Sequence, residues 1–190
     1  PRGSDVIYDR EGASVTTATP SELPVEAIEG ADLFYTSGIT PALSSTLADT
    51  TAALLTAAQG AGATTAFDLN YRSKLWSPEA ARAAYTSLFP HVDTLVAAER
   101  DVRTCLDREG DAVEIANGLL HEYDFRTVVL TRGEHGSVAV RDGEVFEQDA
   151  YPADTVDPVG SGDAFVGGYL ARRCNGGGVA DALAYGAAAA

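Results

Sequence analysis

Short runs of β-branched and apolar residues recur along this chain, each followed by a segment with helix-start chemistry. LFYTSG (33–38), TTAFDLNYR (64–72), TLVAA (94–98) and TVVLTRG (127–133) read as strands. A long helix is expected from Thr40, with Thr40 as its cap, Pro41 in its first position and Gly60 at its end. Another starts at Ser77 and Pro78, and ERDVRTCLDREG (99–110) and residues 111–123 are helical too. Alternation of this kind builds βαβ units, which bury their strands as a mainly parallel sheet covered by helices on both faces. The remaining segments fit around that frame. VIYDREGASV (6–15) reads as a strand pair or a strand and turn, and PSELPVEAIEGA (20–31) as a short amphipathic turn started by Ser21, Glu22 and Pro24. SVAVRDGEVFEQ (137–148) is a hairpin turning at Asp142 and Gly143, a helix runs from Gly162, and ADALAYGAAAA opens another.

Sheets of this class bind ligands at the carboxyl ends of their strands. Polar clusters should gather there, and TSGIT, DLNYR, TRGEHG and DPVGSGD stand at those places.

Composition narrows the function. The 190 residues suffice for one α/β domain with a sizeable core. There are 28 acidic residues against 13 basic ones, a net charge of −15, which disfavours a nucleic-acid partner. Lys74 is the only lysine. A dispersed acidic surface almost without lysine resembles that of cytosolic proteins of salt-accumulating, halophilic archaea, where a Debye length of about 3 Å at 1 M salt screens the self-repulsion; an acidic mesophilic protein is the alternative. No run is apolar for long enough to span a bilayer and the first residues have no apolar leader, so a cytoplasmic protein without membrane contact is expected. Cys105 and Cys174 are unpaired in spacing and are expected to be buried, reduced thiols. No GxxxxGK[ST], no GxGxxG after the first strand, no HExxH and only three scattered histidines are present. These exclude a P-loop and disfavour a dinucleotide fold and a zinc site.

DPVGSGDAF (157–165) carries the chemistry. Gly160, Ser161 and Gly162 precede Asp163 at the start of a helix. Glycines let a ligand approach the backbone, and a first helical turn offers unpaired N–H groups and a positive dipole end. Together they suit a phosphoryl group that gains charge in transit. Asp163 could take the proton of an attacking hydroxyl, or it could be an ordinary acidic residue in a first helical turn. Gly133 and Gly136 after a β-branched strand fit a nucleotide-phosphate turn, though a hairpin turn explains them as well; Arg132 beside them could reach a phosphate or simply meet solvent.

DPVGSGDAFVGGYL (157–170) resembles the second signature of the PfkB (ribokinase-like) sugar kinases, DTxGAGD, with Ser161 in place of the alanine. TRGEHG resembles that family's TxGxxG nucleotide turn, and DLNYR its sugar-facing DxNxR strand end. Within the family, SGITPALS (37–44), NYRSKLW (70–76), DPVG and VIYDREGAS (6–14) are similar to segments of 2-keto-3-deoxygluconate kinases. The resemblance implies a ribokinase-like three-layer α/β/α sandwich that transfers a phosphoryl group from ATP, with Mg2+, to 2-keto-3-deoxygluconate. It implies Asp163 as base, with Gly160, Ser161 and Gly162 holding the transferring group. Thr131, Arg132, Gly133 and Gly136 would line the nucleotide turn, and Tyr8, Arg10, Asn70 and Arg72 the acid sugar. An arginine fork suits a carboxylate, which a neutral sugar lacks.

There is one departure. Where the family often carries NxxE, Ala98 to Asp101 lacks the asparagine, and Asp101 or Glu99 would serve magnesium only through water. The resemblance also implies a longer protein. Residues 1–16 would be a remnant of a small β lid mostly outside this chain, residues 17–190 the catalytic core, and part of the adenine pocket would lie beyond it. Sugar kinases of this type commonly pair through the lid, so a homo-oligomer is compatible. The rival readings are a kinase of the same family acting on fructose, ribose or a nucleoside, and a silent nucleotide- or sugar-binding regulator.

Overall fold

The computed structural model describes residues 12–23, 25–153 and 159–190. Three short 3-10 turns, Ser14–Thr17, Pro20–Glu22 and Val25–Ile28, lead into strand β1 (Leu33–Ser37). The chain then forms α1 (Ile39–Ala42), α2 (Ser45–Gly60), β2 (Thr64–Asp68), α3 (Pro78–Leu88), β3 (Thr94–Ala98), α4 (Glu99–Leu106), α5 (Ala112–Tyr123) and β4 (Thr127–Thr131). The hairpin of β5 (Ser137–Arg141) and β6 (Glu144–Gln148) follows, then α6 (Ser161–Cys174) and α7 (Val179–Ala189). Among the described residues these strands make one sheet in the order β1-β2-β3-β4-β5-β6. The first four are parallel and the hairpin is antiparallel.

Strand periodicity divides the core. Phe67, Leu69, Leu95, Val128 and Leu130 face a layer that includes Leu55 of α2, Tyr85 of α3, Val102 of α4 and Leu119 of α5. Their neighbours Ala66, Val96, Val129 and Ala139 face Phe165, Val166 and Tyr169 of α6 and Leu183 of α7. Both faces of β2, β3 and β4 are therefore covered, which is why these strands are apolar throughout rather than alternating. The outer helices pack closely because Gly168 and Gly186 carry no side chains; a Cβ on Gly186 would stand 2.9 Å from the Phe165 carbonyl.

Local chemistry sets the boundaries and corrects several expectations. The long helix does not begin at Thr40. Ile39–Ala42 is a separate turn, and Ser44, in extended conformation, caps α2 by accepting from Leu47 N–H at 3.0 Å. Ser77 does cap α3, accepting from Ala80 N–H at 3.3 Å with Pro78 in the first turn. Asp111 and Glu114 form a reciprocal capping box on α5. α4 stops at Leu106 rather than running to residue 110, because Asp107 turns left-handed at φ 53°. The strand expected over residues 6–15 does not extend to Val15, where Thr16 bonds back to the Ala13 carbonyl in a 3-10 turn; residues 6–11 lie outside the described residues. Cys105 is buried as expected, and its thiol is pushed up to about 12 by burial. Cys174, in the last turn of α6, is exposed instead. No helix among the described residues is long and apolar enough to cross a membrane.

Candidate active site

Parallel pairing brings the carboxyl ends of four strands to one edge. Ser37 of β1 pairs with Asp68 of β2, and Ala98 of β3 with Thr131 of β4. β2 ends at Asp68, four residues before the strand end expected from sequence. The Asp68 carboxylate accepts from Asn70 N–H at 3.1 Å, and Asn70 turns left-handed at φ 39°, which takes the chain out of the sheet. Alternation then puts Asp68 on the side of Ala66, facing α6, while Phe67 and Leu69 enter the opposite core.

α6 supplies the partner. Gly160 precedes it in left-handed conformation, φ 86°, and no side chain caps its first turn. Among the described residues, a Cβ at Gly160 or Gly162 would meet nothing within 4 Å. Asp163 lies exposed in that turn, and Asn70 Nδ2 donates to its Oδ1 at 3.2 Å, across 93 positions of sequence. This contact joins the end of β2 to the start of α6.

The edge is acidic and partly desolvated. Asp68 is 8% and Asp101 9% exposed. Burial pushes the Asp68 carboxyl up to about 7, with the Asp163 and Asp101 charges adding to the rise; the Asn70 N–H and the Arg72 charge oppose it. Burial also raises Asp101, which is restrained by Arg100, at 3.4 Å, and by the Tyr71 N–H. The Tyr35 phenol, on β1, is raised by burial and by the Asp68 and Asp163 charges.

Asp68 ordinarily titrates near 3.8 and in the fold near 7, so the native state binds the extra proton between these values. Its contribution to stability is full below about 3.8 and is lost as pH rises through about 7. Asp68→Asn is expected to raise the unfolding midpoint at pH 8 and not at pH 4; equal midpoint shifts at both pH values would refute the buried-carboxyl assignment.

At the far side of the edge β4 ends in a tight turn, two strand spacings or roughly 10 Å from β2. Gly133 (φ 59°) opens a 3-10 turn through His135, and Arg132 N–H donates to the Gly136 carbonyl at 2.8 Å. This turn ends β4 at Thr131, before the expected Gly133. Gly136 is required twice over: its φ of 77° is left-handed, and a Cβ would collide with the Gln148 carbonyl oxygen at the end of β6. Arg132 lies 3.6 Å from the Glu147 carboxylate, so acidic β6 takes up at least part of its charge.

The profile of the pfkB family carbohydrate kinases matches residues 3–190. The chain belongs to this family. It is 60% identical over its whole length to a 2-dehydro-3-deoxygalactonokinase of Haloferax volcanii, covering 60% of that protein. It is 31% identical to a 2-dehydro-3-deoxygluconokinase of Thermoproteus tenax, over 93% of this chain and 53% of that one. The crystal structure of a 2-dehydro-3-deoxygluconokinase from Thermotoga maritima superposes with a TM-score of 0.88 at 28% identity, covering 97% of this chain and 61% of that one. The chain thus spans 53% to 61% of the length of these three relatives.

Among the residues anticipated for a PfkB kinase, Asn70 and Asp163 touch, with Gly160, Ser161 and Gly162 around them. Arg72 lies near enough for its charge to act on Asp68 and Asp101. Thr131, Arg132, Gly133 and Gly136 make the β4 turn. Tyr8, Arg10 and Asp157 lie outside the described residues. From sequence, Asp68 was placed in the DxNxR strand end without a role, and Tyr35 was not singled out. A carboxylate between Phe67 and Leu69, at the end of a strand otherwise apolar, was the available signal for Asp68.

Proposed function

We propose that the whole protein transfers the γ-phosphoryl group of ATP to a hydroxyl of a 2-keto-3-deoxy sugar acid. For 2-keto-3-deoxygluconate the product is 2-keto-3-deoxy-6-phosphogluconate. The observation that carries the reading is the Asn70–Asp163 contact, which unites the sugar-facing strand end with a carboxylate at an open helix start. In this reading Asp163 takes the proton of the attacking hydroxyl, and backbone N–H groups at Gly160, Ser161 and Gly162 receive the charge of the transferring group. Turn residues Thr131, Gly133 and Gly136, with Arg132, seat the nucleotide. The names of the Haloferax volcanii and Thermoproteus tenax relatives support a 2-keto-3-deoxy acid and extend the choice to the galactonate epimer.

Magnesium fits the site in a limited way. No group of three or more metal-binding side chains is assembled among the described residues, and Asp101 already engages Arg100 and the Tyr71 N–H. That donor set suits an ion held mainly by nucleotide oxygens and water, with this chain meeting it through water. The ion would offset phosphate charge; positioning remains the work of the protein.

ADP release by the full-length protein in molar KCl with magnesium tests the proposal. The panel is 2-keto-3-deoxygluconate, its galactonate epimer, fructose, ribose and adenosine. Turnover with the keto-deoxy acids alone is expected. Turnover with a neutral substrate would discard the acid specificity, and silence with all of them in folded protein would favour a regulator. Arg72→Ala is expected to raise KM for the acid sugar about 10–100-fold, the range of a lost charge-assisted hydrogen bond, with little change for ATP. Equal effects on both substrates would remove Arg72 from the sugar side.

A further inference from the structure

The segment from Asp68 to Tyr71 is tethered residue by residue. Gly38 N–H donates to the Asp68 carbonyl at 2.8 Å, and Leu69 N–H to the Val96 carbonyl at 3.0 Å. The buried Tyr85 hydroxyl donates to the Leu69 carbonyl at 2.9 Å. Gly38 has to be glycine here, since a Cβ would collide with that same carbonyl. Asp68 Oδ1 accepts from Asn70 N–H, and the Asp101 carboxylate accepts from Tyr71 N–H. Left-handed conformations at the other described non-glycine residues serve two helix ends (Asp107, Asp124) and a hairpin turn (Asp142). Asn70 ends a strand, and from its φ of 39° its side chain also reaches Asp163. An unfavourable backbone conformation persists where its surroundings hold it, and such places gather at functional sites.

We propose that Asp68 is the positioning residue of the phosphoryl-transfer site: it holds Asn70 left-handed, and the Asn70 amide aims the Asp163 carboxylate. The inference rests on the kinase reading above. The Asn70 amide occupies Oδ1 of Asp163, leaving Oδ2 to take the proton of the attacking hydroxyl. Asp68 also acts by charge. The groups facing it are Asp163 from α6, Asp101 from α4, Arg72 from its own loop and Tyr35 from β1. When Asp68 is ionised, its negative charge adds to the field that draws the hydroxyl proton into the site; when it is neutral, that assistance is lost. Burial puts the change near pH 7, so activity rises with pH through that value.

The test measures kcat, both KM values and the pH profile from about pH 5 to 9 on full-length protein, for wild type, Asp68→Asn and Asp68→Ala. The asparagine keeps the acceptor oxygen without the charge; the alanine removes both. Asp68→Ala is expected to lose about 10–100-fold in kcat with KM for ATP little changed, as misplacement of a reacting group does. Asp68→Asn should recover most of the wild-type kcat at pH 6 but lack the rise through pH 7. Wild-type kcat in Asp68→Ala would overturn the positioning role, and an unaltered pH limb in Asp68→Asn would overturn the charge role. If the alanine variant does not fold, the asparagine profile decides the charge role, and Asn70→Ala, which removes the amide that aims Asp163, decides the positioning role: wild-type kcat there would overturn it. Asp163→Asn is measured alongside. Normal turnover there would sink the kinase mechanism itself, whereas an inactive Asp163→Asn beside a normal Asp68→Ala would sink the present proposal alone.

Discussion

Asp163→Asn should leave a folded, nucleotide-binding protein that turns over at least about 10²–10⁴-fold more slowly than wild type. The substitution preserves shape and removes the proton acceptor. Its structural cost should be small, because Asp163 is exposed and a charge at a helix start contributes less than about 1 kcal/mol in such a setting. The contact from Asn70 can persist, since an asparagine oxygen accepts the same hydrogen bond. The loss should therefore fall on kcat, while nucleotide affinity by calorimetry and the unfolding midpoint stay near wild type. Turnover at the wild-type rate would end the assignment of Asp163 as base, whatever else remained true of the fold.

The largest expected effect on stability is at Gly136. A residue at φ 77° and ψ −140° occupies backbone space that essentially only glycine enters, at a cost to other residues of about 1–3 kcal/mol. Gly136→Ala adds a collision with the Gln148 carbonyl, and its Cβ would stand 2.8 Å from the Asp149 Cα. Neither neighbour is the free end of a side chain, so the backbone after β6 has to move, adding about 1–3 kcal/mol more. Together they predict a fall in the unfolding midpoint of several degrees, at about 2–4 °C per kcal/mol for a chain of this size. Nucleotide affinity should fall as well, because the same displacement reshapes the turn after β4. Gly133→Ala is the control: its φ is also positive, at 59°, but an added Cβ meets nothing within 4 Å. It should cost distinctly less. Equal midpoints for the two variants would show that the contact with the end of β6 does not constrain the turn.

The layer order was legible in the sequence because it depends on local chemistry. Apolar β-branched runs, the Ser77 and Asp111 helix starts and the Asp142–Gly143 hairpin each state their own structure, and the βαβ alternation leaves one class of sheet. The loop before Asp163 was legible in part: glycines followed by an acid at a helix start suit an anion site, although an acid in a first helical turn is also common, and the resemblance of the whole segment to the PfkB signature decided the reading. Boundaries were less so. The split between α1 and α2 depends on Ser44 competing successfully with Thr40 as a cap, and the end of β2 on a side chain bonding its own backbone.

The meeting of Asn70 and Asp163 is of another kind. Nothing in either segment specifies the other, 93 positions away; parallel pairing brings the strand ends to one edge, and the packing of α6 on Ala66 and Val96 brings its first turn over β2. The same holds for Asp68. Its identity is written in the chain, but its retention of a proton up to about pH 7 arises from burial beside Asp163 and Asp101. The sequence by itself determined the elements, the sheet class and the chemical character of the loop, since these follow from neighbours along the chain. Only the tertiary structure decided which polar groups share a low-dielectric space, because desolvation and long-range charge depend on what the fold places around them.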